Sequence, residues 1–112
     1  MNGDVFGRKR VPAEAYRFLA LAFLGSRGDA GATKGDLAWE TRANHAMATR
    51  VLAELSRAGH VAIDGSASGY RIRVTPAGRS FLDAHLEYGR VTFSGTLEAH
   101  FRFGRRPTWL PF

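Results

Sequence analysis

The chain has 112 residues, a length that allows one domain and little more. With 45% hydrophobic and 23% charged residues it has the composition of a globular protein and excludes a disordered polyelectrolyte. Sixteen Lys and Arg against ten Asp and Glu leave a formal net charge of +6, and the absence of Cys excludes disulfide frameworks, thiolate zinc sites and cysteine nucleophiles. A small, basic chain points to a polyanionic partner, either nucleic acid or an anionic membrane surface. Apart from Lys9 and Lys34 all the cations are Arg, whose planar fork matches phosphates and guanine edges.

The longest apolar run, Phe18 to Leu24, is far short of the roughly twenty residues a spanning helix needs. A secretory signal would take Arg8-Lys9-Arg10 as its basic start and Ala30-Gly31-Ala32 as its cleavage site. Glu14 and Arg17 directly before the apolar run, and Arg27 and Asp29 after it, argue against that reading. The expectation is a cytoplasmic protein with no membrane partner.

In chain order, residues 1–11 read as a basic arm carrying Arg8, Lys9 and Arg10. Pro12 suits the first position of a helix running from Ala13 to Ser26. Tyr16, Leu19 and Phe23 share one face of it, and Phe18, Leu21, Ala22 and Leu24 make the rest apolar, so this helix must be buried on more than one side. A loop over Gly25 to Gly31 follows. Thr33 caps a short second helix, with Asp36 completing an approximate capping box. Leu37, Ala38 and Thr41 face inward there, with Trp39 packed at the edge.

Arg42-Ala43 forms a tight turn, and Asn44 caps a third helix that ends near Ala58 with Gly59 in the left-handed region. Its apolar stripe is Ala48, Val51, Leu52 and Leu55. His60 to Ile63 and Tyr70 to Val74 read as two strands around a Gly/Ser turn over Asp64 to Gly69, with Arg71 and Arg73 giving the ribbon a basic face. Thr75-Pro76 opens a fourth helix with Phe81, Leu82, His85 and Leu86 on its inner stripe and Gly89 as its end. Beyond it Val91, Phe93, Leu97, Ala99, Phe101 and Phe103 occupy alternate positions, which predicts a β-hairpin turning at Ser94-Gly95-Thr96.

Two segments carry a family resemblance. Thr49-Arg50-Val51-Leu52-Ala53-Glu54-Leu55-Ser56-Arg57-Ala58-Gly59-His60-Val61 resembles the recognition helix and following strand of winged helix-turn-helix regulators of the MarR and PadR kind. Tyr70-Arg71-Ile72-Arg73-Val74-Thr75-Pro76-Ala77-Gly78-Arg79-Ser80-Phe81-Leu82 resembles the second wing strand and the start of the next helix in the same superfamily. The resemblance spans about Pro12 to Tyr88. It implies an α+β winged helix-turn-helix domain over residues 12–89, with a three-helix core, a two-stranded wing and a fourth helix. The β-hairpin-like extension over residues 90–112 would serve dimerisation or cover the core.

By the same resemblance, Asn44, His45, Ala46, Met47, Thr49 and Arg50 are the groove-facing candidates for double-stranded DNA, with Arg50 forking onto a guanine edge. Ser66, Ser68, Arg71 and Arg73 on the wing would hold phosphates or enter the minor groove; Arg8, Lys9 and Arg10, before the resemblance begins, read either as a DNA-tracking arm or as a disordered start. The wing tip is short and built of small residues, unlike that of a long-winged member. Asn44 is a helix cap first; Arg50 could be a solvated helix residue, though the fold favours DNA contact, and Arg71 and Arg73 are equally readable as solvated strand residues.

Asp83-Ala84-His85 matches a fragment of the metal-sensing winged helices, but the partner ligands are missing, so no metal or other cofactor is expected. The chain has no glycine-rich phosphate loop, no paired carboxylates at one locus and no nucleophile with supporting context, which argues against an enzyme. The expectation is a sequence-specific transcriptional regulator of the repressor type, acting as a homodimer. The alternative is a winged-helix protein-interaction module in a transcription, replication or host-interference assembly. The dimer follows from the apolar first helix, the short fourth helix and the one-sided apolar tail.

Overall fold

The structure, a computed structural model, describes residues 11–66, 69–101 and 107–111. Among these, four α-helices and a two-stranded antiparallel sheet make an α+β fold. The helices are α1 (Ala13–Arg27), α2 (Lys34–Thr41), α3 (His45–Arg57) and α4 (Pro76–His100); the strands are β1 (Val61–Ser66) and β2 (Gly69–Val74). A 3-10 turn at Gly28–Ala30 follows α1. No helix among the described residues is long and apolar enough to cross a membrane.

The sequence sets α1 at the centre. Ala15, Tyr16 and every residue from Phe18 to Leu24 are buried, because α2, α3, β2 and α4 each pack on a different side of this helix. Pro12 stands one position earlier than expected, as the N-cap with an extended backbone. The Tyr16 hydroxyl meets Thr41 Oγ1 at 2.8 Å, and Thr41 in turn donates to the Leu37 carbonyl, so both buried hydroxyls are satisfied. Burial pushes the Tyr16 phenol up and keeps it neutral.

Side-chain caps fix the other helix starts. Thr33 Oγ1 accepts from Asp36 N at 3.0 Å, Asn44 Oδ1 from Met47 N at 2.8 Å, and Thr75 Oγ1 from Gly78 N at 3.0 Å, with Pro76 opening α4. On α3 the stripe Ala48, Val51, Leu52 and Leu55 is buried, and Gly59 takes φ +79° just past its end. Thr75 also donates to the Gly59 carbonyl at 2.6 Å, pinning the start of α4 to the end of α3. There Gly78 has no room for a side chain: a Cβ would lie 2.1 Å from the His60 carbonyl oxygen.

The ribbon is longer than its sequence suggested. Asp64, Gly65 and Ser66 belong to β1 and Gly69 to β2, in the register Val61↔Val74 through Ser66↔Gly69. Ala32 adds a single bridge to Ile72, a backbone pair that composition alone marked only as the end of a loop. Ile72 is buried beneath it.

The tail is where expectation and structure part. The predicted hairpin at Ser94-Gly95-Thr96 does not form; α4 runs unbroken from Pro76 to His100, through Gly89 and Gly95. Of the alternating apolar residues, Phe93, Leu97 and Phe101 are buried while Val91 and Ala99 are exposed. The buried three recur every fourth residue and extend the line of Leu82, Leu86 and Gly89, so a strand-like alternation contained a helical stripe. His85 also departs from its expected inward position. It is exposed, with its ring stacked on Phe81 at 4.2 Å and Nδ1 hydrogen-bonded at 2.9 Å to the carbonyl of that residue.

Gly89 lets α4 approach α1, since a Cβ there would stand 3.2 Å from the Phe18 ring, itself in contact with Phe81, Tyr88 and Phe93. Past α4, Trp109 returns to the core edge against Phe23 and Phe101 and donates to Glu40 Oε1 at 3.3 Å. The apolar faces of α1 and of the tail are thus covered within one chain.

Candidate functional site

The N-terminal half of α3 stands clear of the core. His45, Ala46, Thr49 and Arg50 are exposed together on it, opposite the buried stripe that anchors the helix. Asn44 is exposed too, but its side-chain oxygen is committed to the cap. Met47 is half-buried against the core, and its sulfur lies 3.9 Å from Arg50 Nη2, so it supports the Arg50 side chain more than it offers a free surface. Thr49 Oγ1 accepts from Lys34 Nζ at 3.1 Å, which ties the outer faces of α2 and α3 into one surface.

Charge on that surface is uneven. Among the described residues Lys34, Arg42, Arg50, Arg57 and Arg71 join no ion pair, while three other arginines do. Arg17 of α1 forks onto Glu54 of α3, with Nε to Oε1 at 3.2 Å. The hydrogen bond from Arg17 holds the Glu54 carboxyl below the usual carboxylate range, with Arg17, Arg50 and Arg57 adding their positive fields. Glu54 therefore stays ionised and offsets part of the cationic charge towards the C-terminal half of α3.

On the ribbon the two arginines divide. Arg71 is exposed on β2 and free of any ion pair among the described residues. Arg73 instead holds Asp64 Oδ2 with Nε at 2.9 Å and Nη2 at 2.7 Å, across the two strands. The expected basic face is thus half neutralised, because Asp64 belongs to a strand opposite Arg71 rather than to a turn. The pair is solvent-exposed and of the kind worth about 0–1 kcal/mol, so a stronger anion can displace it. Ser66 ends β1; Ser68, Arg8, Lys9 and Arg10 lie outside the described residues.

Three residues escaped the sequence reading. Lys34 was passed over as a first-turn residue of the second helix, although it is one of the chain's two lysines. Arg42 caps α2 with φ +56°, the one non-glycine residue with positive φ among those described. Trp39, expected to pack at an edge, is 81% exposed. It lines an open groove of about 550 Å³ together with Arg42, His45 and Pro107. A non-glycine residue at a two-residue helix–helix turn was the available signal for Arg42; the exposure of Trp39 had none.

Comparison of the chain with family models, with curated proteins and with solved structures finds no match.

Proposed function

We propose that the protein is a sequence-specific double-stranded DNA-binding transcriptional regulator of the winged helix-turn-helix type, acting as a repressor. One observation carries the reading: a helix locked to the core by Val51, Leu52 and Leu55 offers an exposed N-terminal half with His45, Ala46, Thr49 and an unpaired Arg50. That half is narrow enough for a major groove about 12 Å wide and carries the residue type that most often reads guanine. The β1–β2 ribbon, which exposes Arg71, would in this reading act as the wing and follow the phosphate backbone. The chain's +6 charge supports the same partner.

In this reading the regulator works as a homodimer paired through the outer face of α4. Val91 is 67% exposed there, and Tyr88, at the edge of the face that covers α1, is 48% exposed. Sedimentation at micromolar concentration gives twice the 12.3 kDa chain mass if the pairing holds. A single-chain mass on and off DNA refutes the dimer but not DNA binding.

Selection from a pool of random duplexes tests the reading as a whole. A regulator of this type enriches one motif, twofold-symmetric if the protein is paired, with half-sites about one helical turn apart. A pool that emerges with no shared sequence contradicts sequence-specific regulation and favours the protein-interaction module.

A further inference from the structure

We propose that Met47 is an oxidation site that switches DNA binding off: a peroxide converts its thioether to a sulfoxide, whose oxygen captures the Arg50 guanidinium. The inference rests on the DNA-binding reading above and adds a means of regulating it.

Sulfur is scarce in this chain. It has no Cys and two Met, of which Met47 alone lies among the described residues. Met47 stands in the first turn of α3, in the same N-terminal half that carries Arg50. Its backbone N–H is held by the Asn44 cap at 2.8 Å, which fixes where the side chain starts. The side chain is half-buried, with the core on one side and the surface on the other.

Arg50 is loosely held. Its Nη2 lies 3.9 Å from Met47 Sδ, and it joins no ion pair among the described residues. Glu54, one turn further along α3, is engaged by Arg17. A thioether is a weak acceptor, so the sulfur steers the guanidinium without competing against a base edge or a phosphate.

Oxidation changes that acceptor. The sulfur lone pair attacks one oxygen of hydrogen peroxide, the O–O bond breaks, a proton passes to the departing oxygen, and water leaves. Sulfur loses two electrons and the peroxide gains them. The product is a polar sulfoxide, and an oxygen on a sulfur already this close to Nη2 comes within its hydrogen-bonding reach. A charged donor makes the stronger kind of hydrogen bond, so Arg50 must then leave a partner before it can meet DNA. The fold tolerates the change because α3 is anchored by Ala48, Val51, Leu52 and Leu55 rather than by Met47. Reductases acting on methionine sulfoxide reverse the step.

The full chain is treated with hydrogen peroxide, and peptide mapping, thermal unfolding and titration with the selected duplex follow, each variant being compared with itself before and after treatment. In the wild type one oxygen is added at Met47, the melting temperature is retained, and affinity falls by about 5- to 150-fold, the loss expected of Arg50→Ala. Met47→Leu, which still carries Met1, does not respond. Arg50→Ala binds weakly from the start and loses nothing more, because the switch acts through that side chain. Unchanged affinity with Met47 oxidised, or a Met47 that peroxide does not oxidise, would overturn the proposal. So would a response of Met47→Leu equal to that of the wild type, or a further loss in Arg50→Ala of the wild-type size. A lowered melting temperature would show that the sulfoxide breaks packing instead of capturing Arg50, and would overturn it too. Those results leave the DNA reading intact, whereas failure of the untreated wild type to bind duplex would refute both.

Discussion

Gly95→Ala should stabilise the protein, and the sign of that change depends on what the tail is. Gly95 lies inside α4, with the buried residues Leu97 and Phe101 anchoring the chain beyond it, so it is not part of a loose end. A Cβ built there meets nothing within 4 Å, so no packing cost opposes the substitution. Glycine in a helix interior is about 0.5–1 kcal/mol less favourable than alanine, because it gives up more backbone freedom on folding. For a chain of this size that gain raises the melting temperature by about 2–5 °C. Thermal unfolding followed by far-ultraviolet circular dichroism measures it, with helical signal unchanged or slightly increased. If the segment were instead a hairpin turning at this glycine, alanine would meet the left-handed penalty and the melting temperature would fall. A fall would refute the helical tail and the core assignment of Phe93 and Leu97 with it.

The opposite sign is expected at Gly78→Ala, whose Cβ would collide with the His60 carbonyl; strain of about 1–3 kcal/mol outweighs the gain in helix propensity, and denaturant unfolding should show a lower midpoint. Arg50→Ala should cost about 1–3 kcal/mol on the selected duplex and relax the preference at one or two base pairs, whereas Arg73→Ala should lower affinity less than Arg71→Ala, since Arg73 must first leave Asp64. Binding titrations on matched and mismatched duplexes separate these, and equal losses from Arg71→Ala and Arg73→Ala would show that the Asp64 pair does not matter. Because its folded carboxyl titrates below the usual range, Glu54 contributes stability that is present above its unfolded pKa and lost as pH falls through the folded one. Glu54→Gln should therefore flatten the loss of stability below about pH 5, by a small amount since the pair with Arg17 is partly exposed. An acid limb identical to wild type would remove that role.

Local chemistry made most of the fold legible. Thr33, Asn44 and Thr75 announced three helix starts because a cap is a property of a few adjacent residues, and each hydrogen-bonds as such side chains do. The all-round apolarity of α1 was read correctly as burial on several sides, but sequence could not say which chain supplies the cover. α4 supplies it, and recognising that required seeing that Phe93, Leu97 and Phe101 fit a four-residue spacing as well as a two-residue one. Gly89 and Gly95 tipped the reading towards strand and turn; one is there for a close approach to Phe18 and the other in open space. At the candidate site, Arg50 and its exposed neighbours came from the resemblance to winged helix-turn-helix regulators, and their exposure agrees with it. The neutralisation of Arg73 was not legible, because it depends on Asp64 sitting across the ribbon, and neither was the exposure of Trp39.

The central claim is that the exposed cations of α3 and the ribbon bind duplex DNA through its phosphates. A salt titration of the full chain with duplex DNA tests it most directly. The account predicts clear binding at about 50 mM salt and a loss of affinity by orders of magnitude near 200 mM, as several phosphate contacts release their counterions. Absence of binding at the lower salt, or an affinity indifferent to salt, would contradict it.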